Sequence, residues 1–196
     1  SPFAGLKHFA EFIRDPEFFL ALRNTAVINS LMIVVGFPMP ILFALGINEI
    51  ANGAFKRVTQ TITYLPHFIS WVVVAGWVYR MLDYHTGAVN ELLNLLGVER
   101  IPFMREPRFF WGITVVVSVW KDLGWNSIIY LAALSSINPE LYEAAVMDGA
   151  GRLRQVRDIT IPGILPVISV MLIFAIGNMF NPVSGGNFDA LFNLQN

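Results

Sequence analysis

The chain has 196 residues, of which 55% are hydrophobic and only 14% charged, with a mean hydropathy of +0.58 and a formal net charge of −1. Soluble domains carry roughly a quarter charged residues, so the composition points to an integral membrane protein and gives no electrostatic basis for binding nucleic acid. Cysteine is absent, which excludes disulfides and thiolate metal sites, and the histidines (His8, His67, His85) are scattered, which argues against a metal centre.

In chain order, residues 1–23 are mixed. Phe9, Phe12 and Ile13 recur at helical spacing, then Asp15-Pro16 precede Phe18, Phe19 and Leu22. Short amphipathic helices at a membrane interface and a soluble linker both fit this pattern. Residues 24–48 carry no charge and predict a first span. At about 1.5 Å per residue they cross a hydrocarbon core of roughly 30 Å with tilt. Gly36, Pro38 and Pro40 near the middle predict a kink. Residues 49–57 read as a short polar turn. Residues 58–79 predict a second span, uncharged but polar in its first half (Gln60, Thr61, Thr63, His67, Ser70), which suits a face on protein rather than lipid. His67 is a candidate substrate contact or proton carrier, or a side chain that simply satisfies a nearby carbonyl.

Residues 80–108 form a polar excursion with one amphipathic piece over 89–96, punctuated by Gly87, Gly97 and Pro102. A third span is predicted over 109–134, interrupted by Lys121-Asp122, and a fourth over 163–180. A Gly/Asn-rich exit follows, with an apolar patch over 188–194. The fold class is all-α, a polytopic transmembrane helical bundle. The chain opens at Ser1 with neither methionine nor a signal-peptide pattern, which reads as a piece of a longer polypeptide.

The most polar long segment, 138–162, lies between the last two spans. Asn138 suits a helix cap and Pro139 the first helical position. Glu140 and Glu143 place negative charge in the first turns, where the helix dipole favours it. Gly149 and Gly151 flank Ala150 and break the helix, and Asp148 suits capping that turn. A second short helix over 152–159 is expected to stop before Pro162. The product is a helix-turn-helix elbow.

Glu143, Ala144, Ala145, Gly149, Ile159, Ile161 and Pro162 fall on a pattern of Glu-Ala-Ala, three residues, Gly, nine residues, Ile, one residue, an apolar residue and Pro. This resembles the EAA loop of binding-protein-dependent ABC importer permeases, with Ile161 where that family often has Leu. The run Tyr64-Leu65-Pro66-His67-Phe68-Ile69-Ser70-Trp71-Val72-Val73-Val74 is similar to a signature of the permease subfamily associated with complex-carbohydrate and oligosaccharide uptake. The resemblance implies the ABC importer permease fold with an incomplete set of spans, in a bacterial cytoplasmic membrane. It implies a sugar or oligosaccharide as substrate and an elbow that docks on an ATPase subunit, with coupling assigned to Glu143, Ala144, Ala145, Asp148, Gly149 and Arg152. The partners it implies are ABC ATPase subunits, a second permease (a heterodimer rather than a homodimer) and an extracytoplasmic solute-binding protein. No phosphate-cradling Gly-rich loop is present, so the ATPase must be a separate protein and this chain is not expected to be an enzyme. No catalytic residue, metal or cofactor is expected.

Charge does not fix the orientation. An elbow on the cytoplasmic side brings Lys56, Arg57, Arg152, Arg154 and Arg157 there, against Lys7, Arg14, Arg23, Arg80, Arg100, Arg105 and Arg108 outside. That is the reverse of the usual positive-inside bias. The orientation adopted follows the resemblance, with the turn at 49–57 and the elbow together on the cytoplasmic side.

Lys121 and Asp122 stand near mid-span, where a charge costs about 2.5–3.5 kcal/mol on insertion scales and is usually turned inward. Neighbouring helical residues point about 100° apart, so the two do not share a face. Steps of four give a polar stripe, Ser118, Asp122, Asn126 and Tyr130, flanked by Trp125, with Asn178 and Asn181 as possible partners on the fourth span. Such a stripe suits a sugar pathway or, equally, interhelical packing. Lys121 is expected to pair with a carboxylate of another helix or subunit. A proton-driven secondary transporter using Asp122 and His67 is the alternative function, and it leaves the elbow without a task.

Overall fold

The computed structural model describes residues 16–179, all of whose regular elements are helical. The N-terminal segment to residue 15, Asn181 and the apolar patch at 188–194 lie outside the described residues.

Helix α1 (Pro16–Leu31) passes through a π turn (Met32–Gly36) into α2 (Pro38–Asn48), and Phe18–Asn48 makes one candidate span of 31 residues. The expected kink takes the form of that π turn. The Phe37 N–H donates to the Met32 carbonyl at 2.8 Å, five residues back. The wider register lets the helix continue past Pro38 and Pro40, which have no N–H to give. Phe18, Phe19 and Leu22 belong to this helix rather than to a separate interfacial segment.

The turn after α2 is shorter than expected, because α3 (Gly53–Tyr64) starts early: the Asn52 side chain accepts from the N–H groups of Ala54 at 2.9 Å and Phe55 at 3.1 Å. The second span, expected over 58–79, is broken by a bend. α3 ends in a 3-10 turn (Leu65–Phe68), and α4 (Trp71–Met81) leaves at 100° to it. Buried Pro66 withholds an N–H, Ile69 and Ser70 are extended (ψ 133° and 147°), and Ser70 Oγ caps α4 at the Val73 N–H.

Helix α5 (Ala88–Leu95) lies in the polar excursion. Fully buried Asn90 staples that excursion, donating to the Asp83 and Ile101 carbonyls and accepting from the Ile101 N–H. Helix α6 (Pro107–Ser135) has 29 residues and packs against α1, α2, α3, the 3-10 turn and α9 (Ile161–Gly177). Its buried face carries Thr114, Ser118, Lys121, Gly124 and Ser127, three or four residues apart. That polar content keeps α6 out of the helices that, among the described residues, are apolar enough to cross a membrane by composition: Phe18–Asn48 and Arg152–Gly177, with the bent pair Gly53–Phe68 and Trp71–Met81 as a broken third. Its neighbours shield it.

Helix α7 (Pro139–Met147) and the short α8 (Arg152–Gln155) form the elbow. The expected stop before Pro162 does not occur. A second π turn (Val156–Thr160) carries α8 into α9, giving a 26-residue candidate span. The Ile161 N–H reaches back to the Val156 carbonyl, and Pro162 sits in the first turn of α9, where a missing N–H is tolerated.

At the elbow end Ala44, Ile47, Tyr130, Leu131, Leu134 and Ile164 make a buried core. At the other end Trp111 Nε1 donates to Asn24 Oδ1, and Asn29 Nδ2 donates to the Met179 carbonyl. Thus α1–α2 and α6 run in the same direction and α9 runs back. Arg152 stands 3.8 Å from the Glu49 carboxylate, which puts the turn after α2 at the elbow end.

Candidate functional site

The break in the second span is held by consecutive residues of α6. A helix that stops leaves its last carbonyls without partners. Lys121 Nζ donates to the His67 carbonyl at 2.6 Å and lies 5.3 Å from the centre of the Trp71 ring. Lys121 is only 4% exposed, so its charge depends on these partners, and neither is the expected carboxylate. Asp122 Oδ1 meets the same residue's imidazole, 2.8 Å from His67 Nδ1. The two α6 side chains do point apart, but His67 offers its backbone to one and its ring to the other.

The imidazole also lies flat on Trp125, with centroids 4.5 Å apart and planes 2° from parallel, and Phe68 stands edge-on to both rings. One turn along, α6 and α3 approach closely: a Cβ on Gly124 would sit 2.3 Å from the Thr63 carbonyl oxygen and 2.9 Å from Tyr64 Cδ1. Glycine is what allows that crossing.

This geometry divides the predicted stripe. Asp122 joins His67, with Trp125 beside it and 43% exposed. Ser118 is buried, Asn126 is exposed and outside the cluster, and Tyr130 is buried in the apolar core. Asn178 closes the end of α9 and is exposed. Sequence reasoning missed Phe68 and Gly124; the signals available were Pro66, which frees carbonyls, and a glycine one turn beyond Lys121.

The elbow follows its local chemistry closely. Asn138 Oδ1 accepts the Glu140 N–H at 3.1 Å and caps α7. At the other end the Ala150 N–H reaches the Ala145 carbonyl at 2.8 Å and the Gly149 N–H the Val146 carbonyl at 3.0 Å, with Gly149 at φ +73°. This is a Schellman closure, built from backbone alone. Asp148 therefore does not cap the turn, which corrects that expectation; its side chain is exposed. The Tyr142 hydroxyl bonds Thr160 Oγ1 at 3.0 Å, tying α7 to the foot of α9. Met147 and Leu153 are each 88% exposed, and Leu141 and Val146 are also uncovered. Glu143, Ala144, Asp148, Gly149 and Arg152 are exposed, Ala145 is half-buried, and Glu143 has no ion pair among the described residues. Those residues include no cluster of His, Cys, Asp and Glu able to hold a metal.

Comparison with known proteins places the chain in a family. Residues 36–188 match the family model described as binding-protein-dependent transport system inner membrane component. The chain is 46% identical over 91% of its length to the polygalacturonan/rhamnogalacturonan transport system permease protein YteP of Bacillus subtilis, and 41% identical over 92% to protein LplB of the same organism. It spans 56% and 57% of those relatives, just over half of their length. A solved structure of a bacterial alginate ABC transporter, in complex with an alginate pentasaccharide-bound periplasmic protein, contains a chain that is 42% identical, with a TM-score of 0.89. The match covers 95% of this chain and 64% of that one. The chain is therefore a member of the binding-protein-dependent transport system inner membrane component family.

Proposed function

We propose that the chain is the permease part of an ATP-driven importer of oligosaccharides, coupled through its elbow to a separate ATPase. The observation that carries this reading is the elbow's surface. Leu141, Val146, Met147 and Leu153 are exposed on both arms, on a segment that also bears Arg152, Arg154, Arg157 and Asp158. Charged residues at that density suit water rather than lipid, and apolar side chains displayed among them suit a protein partner. Glu143 projects beside them and is the group to meet a basic residue there, while the Schellman closure at Gly149 fixes the angle between the arms.

Asp122 and Trp125, with His67 and Phe68, line the sugar pathway on this reading. A carboxylate accepts from hydroxyls, and an indole face receives the C–H face of a pyranose. The relatives named for polygalacturonan and alginate make acidic oligosaccharides the first substrates to try. The full importer includes a second permease, ATPase subunits and an extracytoplasmic binding protein, in a bacterial cytoplasmic membrane that this family crosses several times. ATP binding closes the ATPase pair, the elbow follows, and the spans exchange outward and inward access. The ligands drive this by their differential affinity for the two states.

The His67–Asp122 contact is the one observation that favours a proton-driven carrier, but that mechanism gives the exposed elbow nothing to do. Two measurements separate the readings. The purified protein should bring an ATPase subunit with it, and uptake should survive a protonophore while ATP is maintained. With no native cysteine, a single cysteine at Arg154 should be labelled only from the cytoplasmic side. Labelling from outside intact cells by an impermeant reagent would refute both the orientation and the docking role.

A further inference from the structure

We propose that His67 is a positioning residue for Trp125, stacking on one face of the indole and fixing the ring so that its uncovered face is presented to the sugar. This inference rests on the pathway reading of Trp125. Three observations carry it. The planes of imidazole and indole are 2° from parallel at 4.5 Å, so one face of the indole is covered. The imidazole cannot turn freely, because its Nδ1 is held at 2.8 Å by Asp122, which lies three residues before Trp125 on the same face of α6. The backbone beneath it cannot shift either, because the buried Lys121 ammonium grips the His67 carbonyl at 2.6 Å.

A histidine serving only the core would be enclosed with its partners. This cluster is accessible, with Trp125 43% and Phe68 70% exposed. It is an ordered aromatic surface, and its order comes from outside the indole. Ordering a side chain before its ligand arrives removes that entropy from the binding step. The contribution is the same in ground and transition states, so its loss raises KM and leaves kcat nearly unchanged. Freeing one rotamer-rich side chain corresponds to a rise of roughly 2- to 10-fold in KM.

The test uses the full transporter complex labelled with 5-fluorotryptophan, the Trp125 fluorine resonance being the one lost in Trp125→Phe. His67→Ala is expected to move and broaden that resonance. His67→Phe, which keeps a flat ring, should restore it in part, whereas His67→Gln, which keeps only a hydrogen-bonding group, should not. Uptake of tetragalacturonate and of arabinotetraose by the same variants should show the KM rise for whichever sugar is carried, with the same order of rescue. A Trp125 resonance unmoved by His67→Ala overturns the proposal, as does a fall in kcat at constant KM. Failure of the underlying reading looks different: Trp125→Ala would then transport normally while the resonance still responded to His67.

Discussion

Gly124→Ala tests the crossing that holds the broken span. The added Cβ would stand 2.3 Å from the Thr63 carbonyl oxygen and 2.5 Å from its carbon. Both are backbone atoms, so no rotamer change relieves them, and ordinary contact begins near 3.5 Å. The end of α3 must therefore back away from α6 by about 1 Å. Overpacking of this kind costs about 1–3 kcal/mol. The higher helix propensity of alanine offsets about 1 kcal/mol of that. The displacement also stretches the Lys121–His67 hydrogen bond one turn away, and a bond to a charged group contributes about 1.5–3 kcal/mol. The net expectation is a loss of about 1.5–5 kcal/mol, or a fall of roughly 3 °C or more in melting temperature for a chain of this size. Thermal unfolding of the detergent-solubilised protein reads this directly. Gly112, on the same helix with nothing within 4 Å of its Cβ position, is the control. Equal melting temperatures for Gly124→Ala and Gly112→Ala would refute the reasoning.

Two further outcomes rest on the same geometry and on the polar excursion. Asp122→Asn and Trp125→Ala are each expected to impair oligosaccharide uptake while membrane level and subunit assembly stay normal; assembly that collapses in both would mean that the cluster packs helices and does not line a pathway. Asp83 is held below the usual carboxylate range, chiefly by the Thr86 N–H and hydroxyl and then by the His85 N–H. A depressed folded pKa adds stability that is present above the ordinary value of about 3.9 and is lost as pH falls through the depressed one. Amide protection at His85 and Thr86 should therefore hold at pH 5 and weaken below about pH 4, and Asp83→Ala should lack it at both.

Short-range chemistry was the legible part of the sequence. Asn138, Pro139 and Gly149 state the ends of α7 within a dozen residues, and Gly149 takes the positive φ that a glycine stop implies. The Asp148 cap failed because the backbone had already closed that turn. Pro162 predicted a stop and Pro66 did not announce a 100° bend, for one reason: a proline removes an N–H, and its surroundings decide how the chain responds. At Pro162 a π turn absorbs the loss. Past Pro66 the helix ends, and the His67 carbonyl left at that end finds a buried ammonium 54 positions away.

The stripe from Ser118 to Tyr130 shows a different limit. Each four-residue step advances about 40° around a helix, so over three steps the row turns by about 120°. Tyr130 thereby reaches the apolar core, while Asp122 faces His67. Lys121 and Asp122 point apart as helical geometry requires, but composition and spacing do not reveal that one residue of a broken helix receives both.

The role of the elbow is tested most directly by substrate-stimulated ATP hydrolysis in a reconstituted complex carrying Gly149→Val. Gly149 has φ +73° and open space around its Cβ position, so valine there strains the backbone by about 1–3 kcal/mol without any clash inside the chain. The variant is expected to insert and fold normally, to bind its ATPase weakly or out of register, and to lose stimulated hydrolysis and uptake together. Gly149→Asn, which tolerates the left-handed conformation, should retain most of both. Wild-type stimulation and wild-type transport by Gly149→Val would mean that the elbow does not couple the permease to ATP.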